Sequence, residues 1–343
     1  MNANAATAAP APALLRRAGP LDTLAMLARR ELWEHRSLWI APLVWAGIII
    51  LLSLWLFFVI IPRHAPAGVL EATHVEEFHG LSEADRQDLG QALQSGKGQE
   101  AKEAGISFSF LGITQMISLF ACIVVFFYLI DCLFTERRDR SILFWKSLPL
   151  SDTQTVLSKL AVALVVIPIG VLLLGAATQF VLYSIFWLRF HGTLLGNVLT
   201  DWSIVAWLQA FVVELAILLC GVIWYAPIAA YFLLLSAWAR KLVFLWAIVP
   251  LAAIPALEGM FFQSRHFLEF MGRRFFGFVP AMHLDPGAFN MGSHGVAGPR
   301  IGNILAQVDV SGVLLSGEAW AGVAAAAVMV YVTIRIRRYR DDS

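Results

Sequence analysis

Charge is scarce in this sequence. Asp, Glu, Lys and Arg make up 14% of its 343 residues, where a soluble domain carries roughly a quarter. Hydrophobic residues account for 59% and the mean hydropathy is +0.72. A water-soluble enzyme or binding domain is excluded by that balance, and an integral membrane protein is expected. The net charge of +1, with no basic stripe interleaved with aromatics, speaks against a nucleic-acid partner. Cysteine is absent from the polar segments. Cys122, Cys132 and Cys220 all lie inside apolar runs, which rules out a disulfide framework. Internal repeats of 20–50 residues are missing, as is symmetry between the halves of the kind many secondary transporters carry.

Catalytic motifs are missing too. A phosphate-binding loop needs G-x-x-x-x-G-K-[ST]. In the nearest stretch, "GQALQSGKG" (90–98), Gly90 stands one place too early and Gly98 replaces the hydroxyl residue. "LLSGE" (314–318) lacks the rest of an ATP-cassette signature. "HVEEFH" sets His74 and His79 five residues apart, off one helix face, and H-E-x-x-H does not occur. Solvated histidines are the plainer role, so no metal site is expected. ATP hydrolysis would have to come from another chain.

What the sequence does hold is apolar runs. Crossing a ~30 Å hydrocarbon core takes about 20 residues of helix. Six runs qualify: 38–61, 107–134, 159–187, 204–238, 242–262 and 317–334. The fold class expected is an all-α, six-span integral membrane protein. Pro227 marks a place for a kink in the long fourth run, and "ARK" (239–241) leaves a tight hairpin before the fifth. Placing both termini in the cytoplasm puts sixteen of the 25 lysines and arginines inside, as the positive-inside rule asks. Outer segments are then 62–106, 188–203 and 263–316, and they hold seven of the eight histidines.

The remaining pieces are small. Residues 1–20 read as an Ala/Pro-rich cytoplasmic tail, too weakly apolar for a cleaved signal peptide, with the first span as an uncleaved anchor. Residues 21–37 form an amphipathic helix, with Leu21, Leu24, Ala25, Ala28 and Leu32 on one face. It orients the first span or touches a cytoplasmic partner. Ser82 can open, and Gly96 close, a short acidic helix in the first outer segment. "SRHFLEFMGRRFFGF" (264–278) suits an amphipathic helix lying on the outer surface, and 335–343 is a basic cytoplasmic tail.

One polar block stands apart. "FTERRDRSILFWKSLPLSDTQTVLSK" (134–159) follows a second span that ends near Asp131. It reads as charge, an amphipathic run, a Leu-Pro stop and a restart. Ser151 and Gln154 have capping-box spacing, so the third span has a start signal before the membrane. A topology signal would need only the arginines. The block is similar to the cytoplasmic loop between spans two and three of ABC-2 type transporter permeases. That family pattern runs from an acidic residue (Glu136) through a Gly-Thr-like pair (Arg140-Ser141) and apolar positions (Ile142-Leu143). It continues with Ser-apolar-Pro-apolar-Ser (Ser147 to Ser151) and closes on a lysine (Lys159). Arg140 stands where glycine is commoner. The six-span layout and the large last outer loop are also similar.

The resemblance implies a coupling helix that docks into a separate ATP-binding cassette ATPase. Glu136, Arg137, Arg138, Arg140, Ile142, Leu143, Trp145, Leu148 and Pro149 would carry the contact. It further implies a permease paired with itself or a sister permease in a bacterial inner membrane. The chain would bind no cofactor of its own, with ATP and Mg on the partner.

Polar residues within the spans are few. Gln115, Gln179 and Glu214 either surround an outward pathway or make interhelical hydrogen bonds, and the second is the plainer role. Glu258 near the end of span five is of the same kind. Gly317, Ala321 and Ala325 offer span six a face for close packing. An ion-coupled transporter using Glu214, or a membrane enzyme using the outer histidines and acids, are the rival expectations.

Overall fold

The computed structural model describes residues 19–64, 96–141, 150–191, 204–282 and 310–339, and the structural statements here concern those residues. Among them every regular element is helical. Six helices are long and apolar enough to cross a membrane: Ser37–Arg63, Leu111–Arg138, Asp152–Phe190, Ala210–Trp238, Val243–Phe262 and Gly317–Tyr339. These are spans one to six. The helix carrying span two runs unbroken from Gly96 to Arg138, and that carrying span four from Ile204 to Trp238.

The number of spans matches the apolar runs, but several ends do not. Span two continues one to two turns past Asp131, span three starts at Asp152, and span six reaches Tyr339. Hydropathy marks where lipid would lie, whereas a helix continues until its hydrogen-bond ladder is interrupted. Gly96, expected to close a surface helix, opens the helix of span two instead. The acidic segment before it, with His74 and His79, lies outside the described residues.

Local chemistry explains the irregular turns. Leu56–Ile60 and Val162–Val166 are π-helical, and each directly precedes an Ile-Pro pair, Ile61-Pro62 and Ile167-Pro168. Proline cannot donate to the carbonyl four residues back and its ring crowds that carbonyl. The preceding turn widens, so Ile61 N–H bonds to Leu56 O and Ile167 N–H to Val162 O. At the start of span three the expected capping box is present. Gln154 N–H donates to Ser151 Oγ and Ser151 N–H donates to Gln154 Oε1, both at 3.1 Å. Between spans four and five, Leu242 turns the chain in the left-handed region at φ 52°.

Span four is the centre of the bundle, packed along spans six and two; span two also packs on spans three and one. The main core joins Ile117, Leu133, Val156, Val162, Ala230 and Leu233, each fully buried. Span one buries only Leu38, Pro42 and Ala46 of Ser37–Trp55, and span five only Val243 and Ala247. Outward the bundle shows Leu51, Leu119, Leu173, Phe180, Met260 and Phe261. A continuous apolar exterior of that kind suits lipid and not water.

The N-terminal helix, Pro20–Glu34, breaks at His35 before span one. Its buried stripe is not quite the one expected. Ala25 is exposed, while Leu27 and the acid Glu31 are buried against the bundle. Helix periodicity finds an apolar face, but it cannot foresee an acid on that face with a cation waiting for it.

The amphipathic helix expected over 264–278 is present as His266–Phe276. Glu258 at the end of span five caps it, accepting from Ser264 Oγ at 2.7 Å, His266 N at 2.9 Å and Phe267 N at 2.8 Å. A carboxylate at a helix N-terminus answers both its orphan N–H groups and its dipole. At the other end of this helix Arg274 stacks on Trp224 of span four, 5.1 Å from the ring centre. Its guanidinium also donates to the Glu318 carbonyl of span six. Beside it is Gly322, where any side chain would strike the guanidinium.

Candidate functional site

The charged block converges on a buried ionic cluster at its base. The capping box starts the third helix early, so Lys159 falls two turns inside it, where it is fully enclosed. Its ammonium lies 2.9 and 2.8 Å from the two carboxylate oxygens of Glu31. It also lies 2.9 Å from Glu136 Oε1 at the end of span two. Glu136 Oε2 accepts from Arg337 Nη1 at 2.6 Å, and Arg337 Nε reaches Asp152 Oδ1 at 3.1 Å. Tyr128 OH donates to Glu31 Oε2 at 3.1 Å. Arg30 closes the rim, 2.6 Å from Glu31 and 3.4 Å from Glu136.

The inner charges balance as two cations, Lys159 and Arg337, against two acids, Glu31 and Glu136. Desolvating ions is costly, and only close geometry with further hydrogen bonds repays it. Every oxygen of Glu31 and Glu136 has a cationic or hydroxyl partner here. The cluster ties together the N-terminal helix, the end of span two, the start of span three and the end of span six.

The residues expected to carry the coupling contact divide in three. Glu136 and Arg137 are engaged inside the chain. Arg137 Nη2 donates to Ser236 O at 2.6 Å and Ala239 O at 2.8 Å, satisfying carbonyls at the end of span four. Arg138 and Arg140 are exposed. Ile142, Leu143, Trp145, Leu148 and Pro149 lie outside the described residues. Arg140 sits just past the helix end in the left-handed region at φ 55°. That is the position glycine commonly fills.

Glu31, Glu34 and His35 also bring possible ligand atoms within 4.8 Å of one another. Both Glu31 oxygens already face Lys159, so a metal would have to displace an enclosed ammonium. The donor set fits the ion pairs better than a metal. Burial pushes the His35 imidazole below its ordinary range, against the opposing pull of Glu31. Its folded value is therefore depressed, and the stability tied to neutral His35 is complete above the ordinary histidine range. It is lost as pH falls through the lower folded value. Thermal melts of His35→Gln are expected to show a smaller loss below about pH 6 than the wild type does.

A second polar group sits between spans two, three and four, toward the opposite end of the bundle. Gln179 Nε2 donates to Thr114 Oγ1 and to Glu214 Oε1, both at 2.8 Å, and Trp207 Nε1 donates to Gln179 Oε1 at 3.2 Å. Gln179 and Glu214 thus meet as expected. Gln115 does not join them: it is exposed, and Thr114 takes its place. Adjacent helix positions point about 100° apart, so a one-residue choice between two polar neighbours is not settled by sequence. Lys159 had a sequence signal in its place within the motif. Glu31, Arg337 and Trp207 had none.

No family model, curated protein or solved structure matches the chain.

Proposed function

We propose that this chain is the permease subunit of an ATP-driven exporter of the ABC-2 type. It works as a homodimer or with a sister permease in the bacterial inner membrane. A separate P-loop ATPase binds ATP and Mg and hydrolyses the nucleotide. In this reading the end of the bundle bearing Lys159 faces the cytoplasm, and segment 142–149 is the plug that the ATPase grips.

The observation that carries the reading is the ionic cluster at the base of that segment. Glu136 holds it on the span-two side, and Asp152 and Lys159 on the span-three side. The same ions reach the N-terminal helix and span six. A push on the segment would therefore move four elements together, which is what transmission into the membrane needs. A connector that merely set topology would need no buried anchor. Exposed Arg138 and Arg140 beside it are placed to fix register against a partner surface.

The left-handed turn at Arg140 supports the resemblance at its one departure, since the backbone there is the kind that glycine serves. Arg140→Gly is expected to raise stability by up to about 1 kcal/mol, read as a higher melting midpoint. An unchanged or lower midpoint would show that the arginine side chain compensates for its strained backbone.

The test is a photo-cross-linker at position 145, in cells that also express a P-loop ATPase encoded beside this chain. Adducts to the ATPase support the reading; adducts to lipid alone sink it. The rival is an ion-coupled transporter using Glu214. Transport that persists without ATP and collapses with the proton gradient would favour it.

A further inference from the structure

We propose that Glu214 is an intramembrane proton-binding site. In the close-packed arrangement described, its carboxyl is held as the neutral acid by a knot of uncharged groups from spans two, three and four.

Trp207 fixes the orientation of the Gln179 amide. An indole N–H can only donate, so the Gln179 atom it meets at 3.2 Å is the amide oxygen. The amide nitrogen then faces the other way, donating to Thr114 Oγ1 and Glu214 Oε1. That orientation leaves Glu214 with one hydrogen-bonded oxygen. The other, Oε2, is buried without a hydrogen-bond partner among the described residues. The residue as a whole is 3% exposed.

The contrast with the ionic cluster decides its charge state. Glu31 and Glu136, equally buried, each face Lys159, and Glu136 also faces Arg337. Glu214 faces Thr114 from span two, Gln179 from span three and, within the same cluster, Trp207 from its own helix; all are neutral. No described lysine, arginine, histidine or second acid, from span six or any other packed element, acts on it electrostatically. The described cations packed against span four lie further along it: Arg274 on Trp224, ten residues on, and Arg137 at Ser236 and Ala239. A carboxylate in such surroundings loses its solvation and gains only neutral hydrogen-bond partners and no counter-charge, so it takes up a proton. The step is simple to balance: –COO⁻ and H⁺ from water give –COOH, and no other bond breaks.

Packing argues for a proton over a larger cation. Thr114 rests directly on Gly175 of span three, where even a methyl group would overlap its side chain. Release requires water to reach Oε2, which requires spans two, three and four to separate. Proton occupancy is thus linked to the packing of the two helices that flank segment 142–149.

The experiment is infrared difference spectroscopy on the full chain in lipid nanodiscs at neutral pH, without any ATPase. The wild type is expected to show the carbonyl-stretch band of a neutral carboxylic acid that is absent in Glu214→Gln. The band should disappear as the pH is raised far enough to strip the proton. In Gln179→Leu the band should move to higher frequency, because the carbonyl loses its N–H donor. This second variant keeps the test decisive should Glu214→Gln fail to fold. Absence of a neutral-acid band in the wild type, or a band that both variants leave unchanged, overturns the proposal. The exporter reading stands apart from either result, since the measurement needs neither partner nor transport.

Discussion

Replacing Lys159 by alanine is expected to destabilise the protein by about 3–5 kcal/mol, the usual cost of removing one partner from a buried ion pair. The ammonium is fully enclosed and lies within 2.9 Å of both Glu31 and Glu136. Without it Glu136 keeps Arg337, but Glu31 is left with Tyr128, Arg30 and a distant His35. Removing both charges together, as Lys159→Met with Glu31→Gln, is expected to cost much less, because no uncompensated ion remains. Melting midpoints of the two single variants and the double variant, in one detergent, provide the check. Equal midpoints for wild type and Lys159→Ala would mean that the cluster contributes nothing to stability.

If the chain is the exporter subunit proposed, Leu148→Asp is expected to abolish transport while leaving insertion and the fold intact, and Trp145→Ala to weaken it severely. If segment 142–149 fills a groove in an ATPase, a carboxylate on its apolar face must be desolvated there without a partner, which costs more than a docking contact returns. Truncating an interfacial tryptophan commonly costs 2 kcal/mol or more, about thirtyfold in affinity. The expected signature is ATP hydrolysis by the partner that no longer drives transport, with this chain still in the membrane. Because the ionic cluster is built from residues outside 142–149, its stability should be unchanged in both variants. Normal ATPase recovery and normal transport in both would refute the docking role.

The base and the tip of the segment are different levels of the molecule. Lys159→Ala probes whether the base is rigid, and Leu148→Asp and Trp145→Ala whether the tip is gripped. A stable cluster with an idle tip would leave a membrane bundle of unassigned purpose. An active tip on a cluster that contributes nothing would leave docking without a path for its motion.

Much of the architecture was legible beforehand because it depends on local chemistry. Apolar run length located six spans, since the cost of exposing backbone to lipid permits little else but helix. Ser151 and Gln154 announced the start of span three, for a capping box needs only four consecutive residues. The hairpin at 239–241 and the surface helix near 266–276 were equally open to inspection, being set by short polar interruptions and by periodicity. The two widened turns were not foreseen: Pro227 was the proline marked for a kink, and it lies inside one continuous helix, whereas the turns widen before Pro62 and Pro168.

Pairing between distant residues was hidden. Glu31 and Lys159 stand 128 positions apart, and Glu136 and Arg337 stand 201 apart. Nothing in either neighbourhood says which acid a cation will meet. Glu136, Arg137, Arg138 and Arg140 were all expected at a docking contact, yet Glu136 and Arg137 turn inward while Arg138 and Arg140 face out. Thr114 displaced Gln115 for the same reason: a helix face is chosen by what packs on it. Sequence alone determined the elements and their apolar character, because lipid and the backbone hydrogen-bond ladder act residue by residue. Only the tertiary structure decided which charges were neutralised and which carboxyl was left without a cation, because electrostatic partnership depends on distance in space, not along the chain.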